Sequence, residues 1–203
     1  MFDKPASSSS EPFRILTVCT GNICRSPMAE RLLQLGLDEQ APGQFLVESA
    51  GTGALVGNPI DPRVAGMIRV FGGSAEDFAA RQLTPQILQG KDLVLTLTRE
   101  HRSKVVELDP SMLRRTYTLR EFARIYEHLE LDKSLRASDL WRSAVTQAFR
   151  ARSVHTATAG EDNVVDPYRQ ADEVYEQMRN ELAPTIQILT TARQQPPIPP
   201  NSK

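Results

Sequence analysis

The stretch that most constrains this chain is FRILTVCTGNICRSP, Phe13 to Pro27, where a short apolar run meets a turn and then a helix start. FRILTV is bounded by turn chemistry and too short for a helix, so Phe13–Val18 reads as a buried strand. Ser26 offers an N-cap hydroxyl and Pro27 suits the first helical position, with Met28, Leu32, Leu33 and Leu35 as apolar positions. The same order recurs downstream. FLVESA (Phe45–Ala50) predicts a second strand and DPRVAGMIRVFG (Asp61–Gly72) a second helix ending in glycine. DLVLTLT (Asp92–Thr98) predicts a third strand, followed by a helix over Arg99–Leu108, and RRTYTL (Arg114–Leu119) a fourth strand. Strands alternating with helices imply an α/β fold: a doubly wound, four-stranded parallel sheet with helices on both faces, in a single domain. Ligands of such sheets sit at the carboxyl ends of the strands, where the turn after Val18 falls.

The ends read as tails. Residues 1–12 include the serine run Ser7–Ser10, and residues 194–203 are proline-rich, which leaves 13–193 as the folded domain. A formal net charge of -1 shows no nucleic-acid footprint. No apolar stretch is long enough to span a bilayer and the N-terminus is polar, so no membrane insertion is expected. The only cysteines, Cys19 and Cys24, are too few for a disulfide framework, and a cytoplasmic, reducing compartment is expected.

A loop between strand and helix aims backbone N–H groups and the positive end of the helix dipole at one spot, an anion site. Arg25 adds a planar fork for two phosphate oxygens, and Cys19 shares the field of the amides. A thiol so placed can ionise at neutral pH and act as a nucleophile inside a phosphate cradle. The loop lacks the glycine-lysine pair of a Walker motif and the second ligand pair of a zinc site, so neither metal nor cofactor is expected. His101, His128 and His155 are scattered and read as surface or structural residues. The leaving group needs a proton, for which VVDPYRQADEVYE (Val164–Glu176) presents Asp166, with Tyr168 as an aromatic wall. Asp-Pro is also an ordinary turn and helix-start signal, so spacing alone leaves that role open. Asp162 is the next candidate acid.

In order along the chain, CTGNICRSP, SAGTGALVGNP (Ser49–Pro59), ARQL (Ala80–Leu83) and DPYR (Asp166–Arg169) resemble the motifs of the low-molecular-weight protein tyrosine phosphatases. The resemblance implies hydrolysis of phosphotyrosine through a cysteinyl-phosphate intermediate. Cys19 would be the nucleophile, Arg25 the phosphate clamp, and Asp166 the general acid and then base. Thr20, Gly21, Asn22, Ile23, Cys24 and Ser26 would cradle the phosphate, with Ser26 supporting the thiolate as leaving group. Asn22 resembles a loop asparagine held in a left-handed conformation by Ser49, and Cys24 is read as a resolving thiol in redox protection of Cys19. SAGTGALVG and DPYRQADEVYE look like the bacterial members, which implies a phosphotyrosine protein as partner, a bacterial tyrosine kinase of polysaccharide export. With Ala54 and Leu55 as small walls, Tyr168 would be the main stacking face.

Two other readings share the loop: an arsenate reductase resolved by a small thiol, and a phosphotyrosine- or anion-binding module without turnover. The chain departs from the family pattern twice. Phe78 stands where a histidine is frequent before ARQ, which would leave Asn22 more dependent on Ser49 or water. Between about 127 and 160 the chain is longer than the pattern, and Leu140, Trp141, Ala144, Val145, Ala148 and Phe149 form one helical stripe. That stripe is expected to pack as core, with a lid bordering the site as the alternative.

Overall fold

Phe13–Cys19 forms strand β1, which lies inside the sheet with helices packed over both faces, so its side chains are buried apart from half-buried Arg14. The structure, a computed structural model, describes residues 11–158 and 160–191; the serine run and the proline-rich tail lie outside the described residues. Helix α1 (Arg25–Gln40), β2 (Phe45–Gly51), α2 (Pro62–Val70), α3 (Pro85–Leu88), β3 (Leu93–Thr96) and α4 (Arg99–Leu108) follow in order. A 3-10 helix (Pro110–Arg115), β4 (Thr116–Thr118), α5 (Leu119–Tyr126), α6 (Ala137–Ala151) and α7 (Asp172–Thr190) complete the described chain. The strands run parallel in the order β2-β1-β3-β4. Successive β1 side chains point to opposite faces. Phe13, Ile15 and Cys19 join the larger core shared with α1, α2, α5, α6 and α7, while Leu16 and Val18 join Leu88, Val105 and Met112 beneath α3 and α4.

The ends of several elements differ from the sequence expectation. The third strand stops at Thr96, because the Thr98 side chain accepts from the His101 amide and caps α4. Arg114 and Arg115 close the 3-10 helix instead of opening β4, and Thr118 ends that strand by forming a capping box with Glu121. Asp61 caps α2 from outside, and Gly72, at φ 84°, follows its end. Ser26 is not an N-cap: α1 begins at Arg25 after Cys24, with no side-chain cap. Its hydroxyl turns instead to Cys19 and Asn22.

The stripe on α6 is core. Trp141 meets the rings of Phe13, Phe45, Phe122 and Tyr126 at centroid distances of 5.5–5.9 Å, and Ala144 and Ala148 are fully buried beside it. Phe13 and Phe45 open β1 and β2, so α6 lies at the amino ends of the strands, away from the turn after β1. The lid alternative fails for this helix. Phe149 leaves the stripe and is 37% exposed.

Candidate active site

Main-chain bonding shapes the turn after β1. The carbonyls of Cys19, Thr20, Gly21 and Ile23 accept from the amides of Thr52, Gly53, Leu55 and Asp61 at 2.9–3.0 Å. The segment after β2 is thereby zipped along the back of the turn. Gly51 is needed there, because a Cβ would stand 2.3 Å from the Thr20 carbonyl oxygen. With the carbonyls engaged outward, the N–H groups of Thr20, Gly21, Asn22, Ile23 and Cys24 have no acceptor among the described residues. Together with the start of α1 they form a concave row of free donors, a geometry that binds tetrahedral anions.

Cys19 is buried at the lip of this row, its Sγ 3.0 Å from Ser26 Oγ. Asn22, at φ 55°, is left-handed as expected. Its amide donates to Ser26 Oγ at 2.9 Å and to Ser49 Oγ at 2.8 Å, and its Oδ1 accepts from the Arg81 amide at 2.9 Å. Ser49 in turn donates to Glu30 Oε2 at 2.5 Å. Burial pushes the Glu30 carboxyl above its ordinary range, against the hydrogen bond from Ser49. Asn22 therefore depends on Ser26 and Arg81 as well as Ser49, and every polar atom of its side chain is used. The Phe78 ring lies under the Arg31 guanidinium at 5.8 Å. Glu30 and Arg81 escaped sequence reasoning, although Glu30 lies on α1 and Arg81 inside ARQL.

Arg25 and Asp166 meet across the turn. Arg25 is buried, and its Nη2 donates to Asp166 Oδ2 at 2.6 Å while Nη1 reaches the Val164 carbonyl at 3.4 Å. Its buried Nε has no partner among the described residues. Asp166 is half-exposed. Cys19, Thr20, Gly21, Ile23, Cys24, Arg25, Gly53, Leu55, Asp166 and Tyr168 line a cavity of about 110 Å³, small enough to suit an oxyanion with one ring entering. Tyr168 is 37% exposed, and Ile23 and Leu55 supply apolar walls. The alternative acid, Asp162, is corrected by the structure: it is buried and gripped by Arg99 at 2.5 Å and Arg124 at 2.9 Å. A carboxylate held by two guanidiniums and kept from the cavity is an anchor. Val164 N–H on the Leu97 carbonyl at 2.8 Å and Val165 N–H on Glu181 at 2.9 Å fix the rest of the segment leading to Asp166.

Of the histidines, His101 is buried beneath the turn and not a surface residue. Its Nε2 is 2.9 Å from Thr20 Oγ1 and its Nδ1 2.9 Å from Thr98 Oγ1. Burial, with the nearby Arg25 charge adding to it, lowers its pKa to about 4, so the ring is neutral at physiological pH. The residue is invisible to motif reasoning because its partner in the turn lies 81 residues away. His128 and His155, far apart in sequence, stack at 4.6 Å on the periphery. Cys24 is buried behind the cradle, where desolvation, then Asp61 and Cys19, push its thiol up to about 12.

The comparisons match this geometry. Residues 14–152 match the family described as Low molecular weight phosphotyrosine protein phosphatase. The chain is similar to the low molecular weight protein-tyrosine-phosphatase Wzb of Escherichia coli (strain K12), 43% identical over 98 residues, covering 48% of this chain and 63% of the relative. The match thus spans a little under two thirds of the length of the Wzb relatives. Among solved structures it resembles a low molecular weight protein tyrosine phosphatase from T. tengcongensis (TM-score 0.64, 28% identity, 87% of this chain and 97% of that one). It also resembles the YwlE arginine phosphatase from Geobacillus stearothermophilus (TM-score 0.62, 28% identity, 88% and 91%). With more than half the chain matched and the matched segment folding into this sheet and cradle, the chain belongs to the low molecular weight phosphotyrosine protein phosphatase family.

Proposed function

We propose that the protein hydrolyses phosphotyrosine with Cys19 as nucleophile and Asp166 as general acid and then base. The observation that carries this reading is the row of free amides around Cys19, with Arg25 and Asp166 facing each other across it. A dianionic phosphate entering the cradle takes the amides and the Arg25 fork, which draws the guanidinium from Asp166 and frees the carboxyl to carry a proton. Cys19 Sγ then attacks phosphorus. The S–P bond forms as the P–O ester bond breaks, and the Asp166 proton goes to the departing phenol oxygen. Water next attacks the phosphocysteine, its proton passes to Asp166, and inorganic phosphate leaves as the thiolate is restored beside the Ser26 hydroxyl. No metal enters any step.

The substrate class rests on the walls. Tyr168, Ile23 and Leu55 offer a ring and aliphatic surface to an aromatic leaving group. Similarity to bacterial phosphatases supports a bacterial tyrosine kinase of polysaccharide export as partner. The family match does not favour the arsenate reductase reading. Steady-state assays on phosphotyrosine, phosphoserine and phosphoarginine peptides, with arsenate plus small thiol alongside, test the assignment. Preference for phosphotyrosine is expected; faster turnover of phosphoarginine or arsenate would overturn it.

A further inference from the structure

The outward face of α6 and the 3-10 helix before β4 build a second concavity that the proposed chemistry does not use. It measures about 380 Å³ and is lined by Phe13, Asp92, Val145, Thr146 and Phe149 with the arginines Arg114, Arg115, Arg142 and Arg150. Arg142, Thr146, Phe149 and Arg150 recur at helical spacing, so they share the α6 face opposite to buried Trp141, Ala144 and Ala148. Its charge is unbalanced. Arg142 lies 3.7 Å from both Asp92 and Asp139, but Arg114 and Arg150 meet no carboxylate among the described residues, and Arg115 donates only to the Lys91 carbonyl at 3.2 Å. The Arg114 guanidinium rests over the Phe149 ring at 5.4 Å, and Leu113 beside it is 45% exposed.

We propose that this groove docks an acidic segment of a protein partner, one that interleaves carboxylates with apolar side chains. Unpaired guanidiniums supply the complementarity, and Val145 and Phe149 supply apolar contact between them. A nucleic acid fits less well. Val145 and Phe149 sit among the arginines and offer a continuous phosphate backbone no partner there. The groove opens at the amino end of β1 and Cys19 closes its carboxyl end, about 20 Å away at strand rise. Docking there would tether a substrate while a separate segment reaches the cradle, raising its effective concentration.

Binding alone tests the proposal, so its failure is distinguishable from failure of the phosphatase reading. A fluorescein-labelled peptide of Glu-Glu-Leu repeats, its Gln-Gln-Leu counterpart and a single-stranded RNA of equal length are titrated with the full chain, followed by anisotropy. The acidic peptide is expected to bind, to weaken with salt, and to lose at least about tenfold in affinity in Arg114→Glu/Arg150→Glu, with p-nitrophenyl phosphate turnover unchanged. Should that variant melt early, Arg150→Glu alone carries the test. Absence of binding, equal binding of the neutral peptide, tighter binding of RNA, or indifference to both variants would overturn the proposal.

Discussion

In the proposed mechanism Asp166 does two jobs that compete. Its carboxylate holds Arg25 at 2.6 Å, and an incoming phosphate must take that guanidinium over. Because Asp166 is half-exposed, the pair contributes only about 0.2–1 kcal/mol. Asp166→Asn should therefore tighten inorganic phosphate inhibition by roughly 1.5- to 5-fold. The same change should slow release of a high-pKa phenol by about 10²–10⁴-fold and of activated aryl groups less. Inhibition constants and a leaving-group series measure both; weaker phosphate binding, or equal small losses across the series, would move the acid role elsewhere. Cys24 is the second residue with divided demands. It stands close along the loop to Cys19, yet burial keeps it protonated, with its pKa up to about 12. A protonated thiol attacks sulfenic acid slowly, so a Cys19–Cys24 disulfide after mild peroxide should form faster as pH rises. Recovery by thiol reduction should drop in Cys24→Ser; full recovery there, or a pH-independent rate, would remove the protective role.

At the scale of elements, the cradle belongs to three segments at once. The turn after β1 supplies donors, the segment after β2 takes its carbonyls, and α1 supplies Glu30 to orient Ser49. A left-handed asparagine is a strained conformation costing of order 1–3 kcal/mol, held here by hydrogen bonds worth about 1 kcal/mol each. Ser49→Ala removes one Asn22 acceptor and leaves half-buried Glu30 without its hydroxyl donor, with Arg31 at 3.4 Å as its remaining partner. A fall in kcat of about tenfold, roughly 1.4 kcal/mol, is expected with a smaller change in KM. An unchanged kcat would mean Ser26 and Arg81 alone hold Asn22. The sequence makes the turn legible because strand, glycine, arginine and Ser-Pro are contiguous. It hides the support, since Glu30, Arg81 and His101 reach the turn from separate elements and carry no local pattern. Ser26 departs from the cap expectation for a related reason: a hydroxyl beside proline carries the same local signal whether it caps the helix or turns inward toward a thiol.

Across the whole molecule, the alternation of strands and helices makes the sheet readable, while the ends of β3 and β4 depend on caps at Thr98 and Thr118 that compete with strand pairing. The buried His101 ties α4 to the turn and gives the fold a pH signature. Its pKa falls from 6.5 to about 4 on folding, so between those values the unfolded chain binds a proton that the folded chain does not. Stability is then lost as pH drops through that window, by an amount on the order of 3 kcal/mol for this group. In His101→Asn the dependence of melting temperature on pH over that window should flatten relative to wild type; an identical slope would place the proton elsewhere.

The proposed mechanism turns on Cys19 carrying the phosphoryl group. Wild-type protein mixed with an aryl phosphate, quenched in acid within one turnover and mapped by mass spectrometry should show a single phosphoryl group on the peptide containing Cys19. Cys19→Ser should retain oxyanion binding to the loop and Arg25, with turnover below about one per cent of wild type. A burst of phenol with the phosphoryl group on another residue, or undiminished hydrolysis by Cys19→Ser, would contradict it.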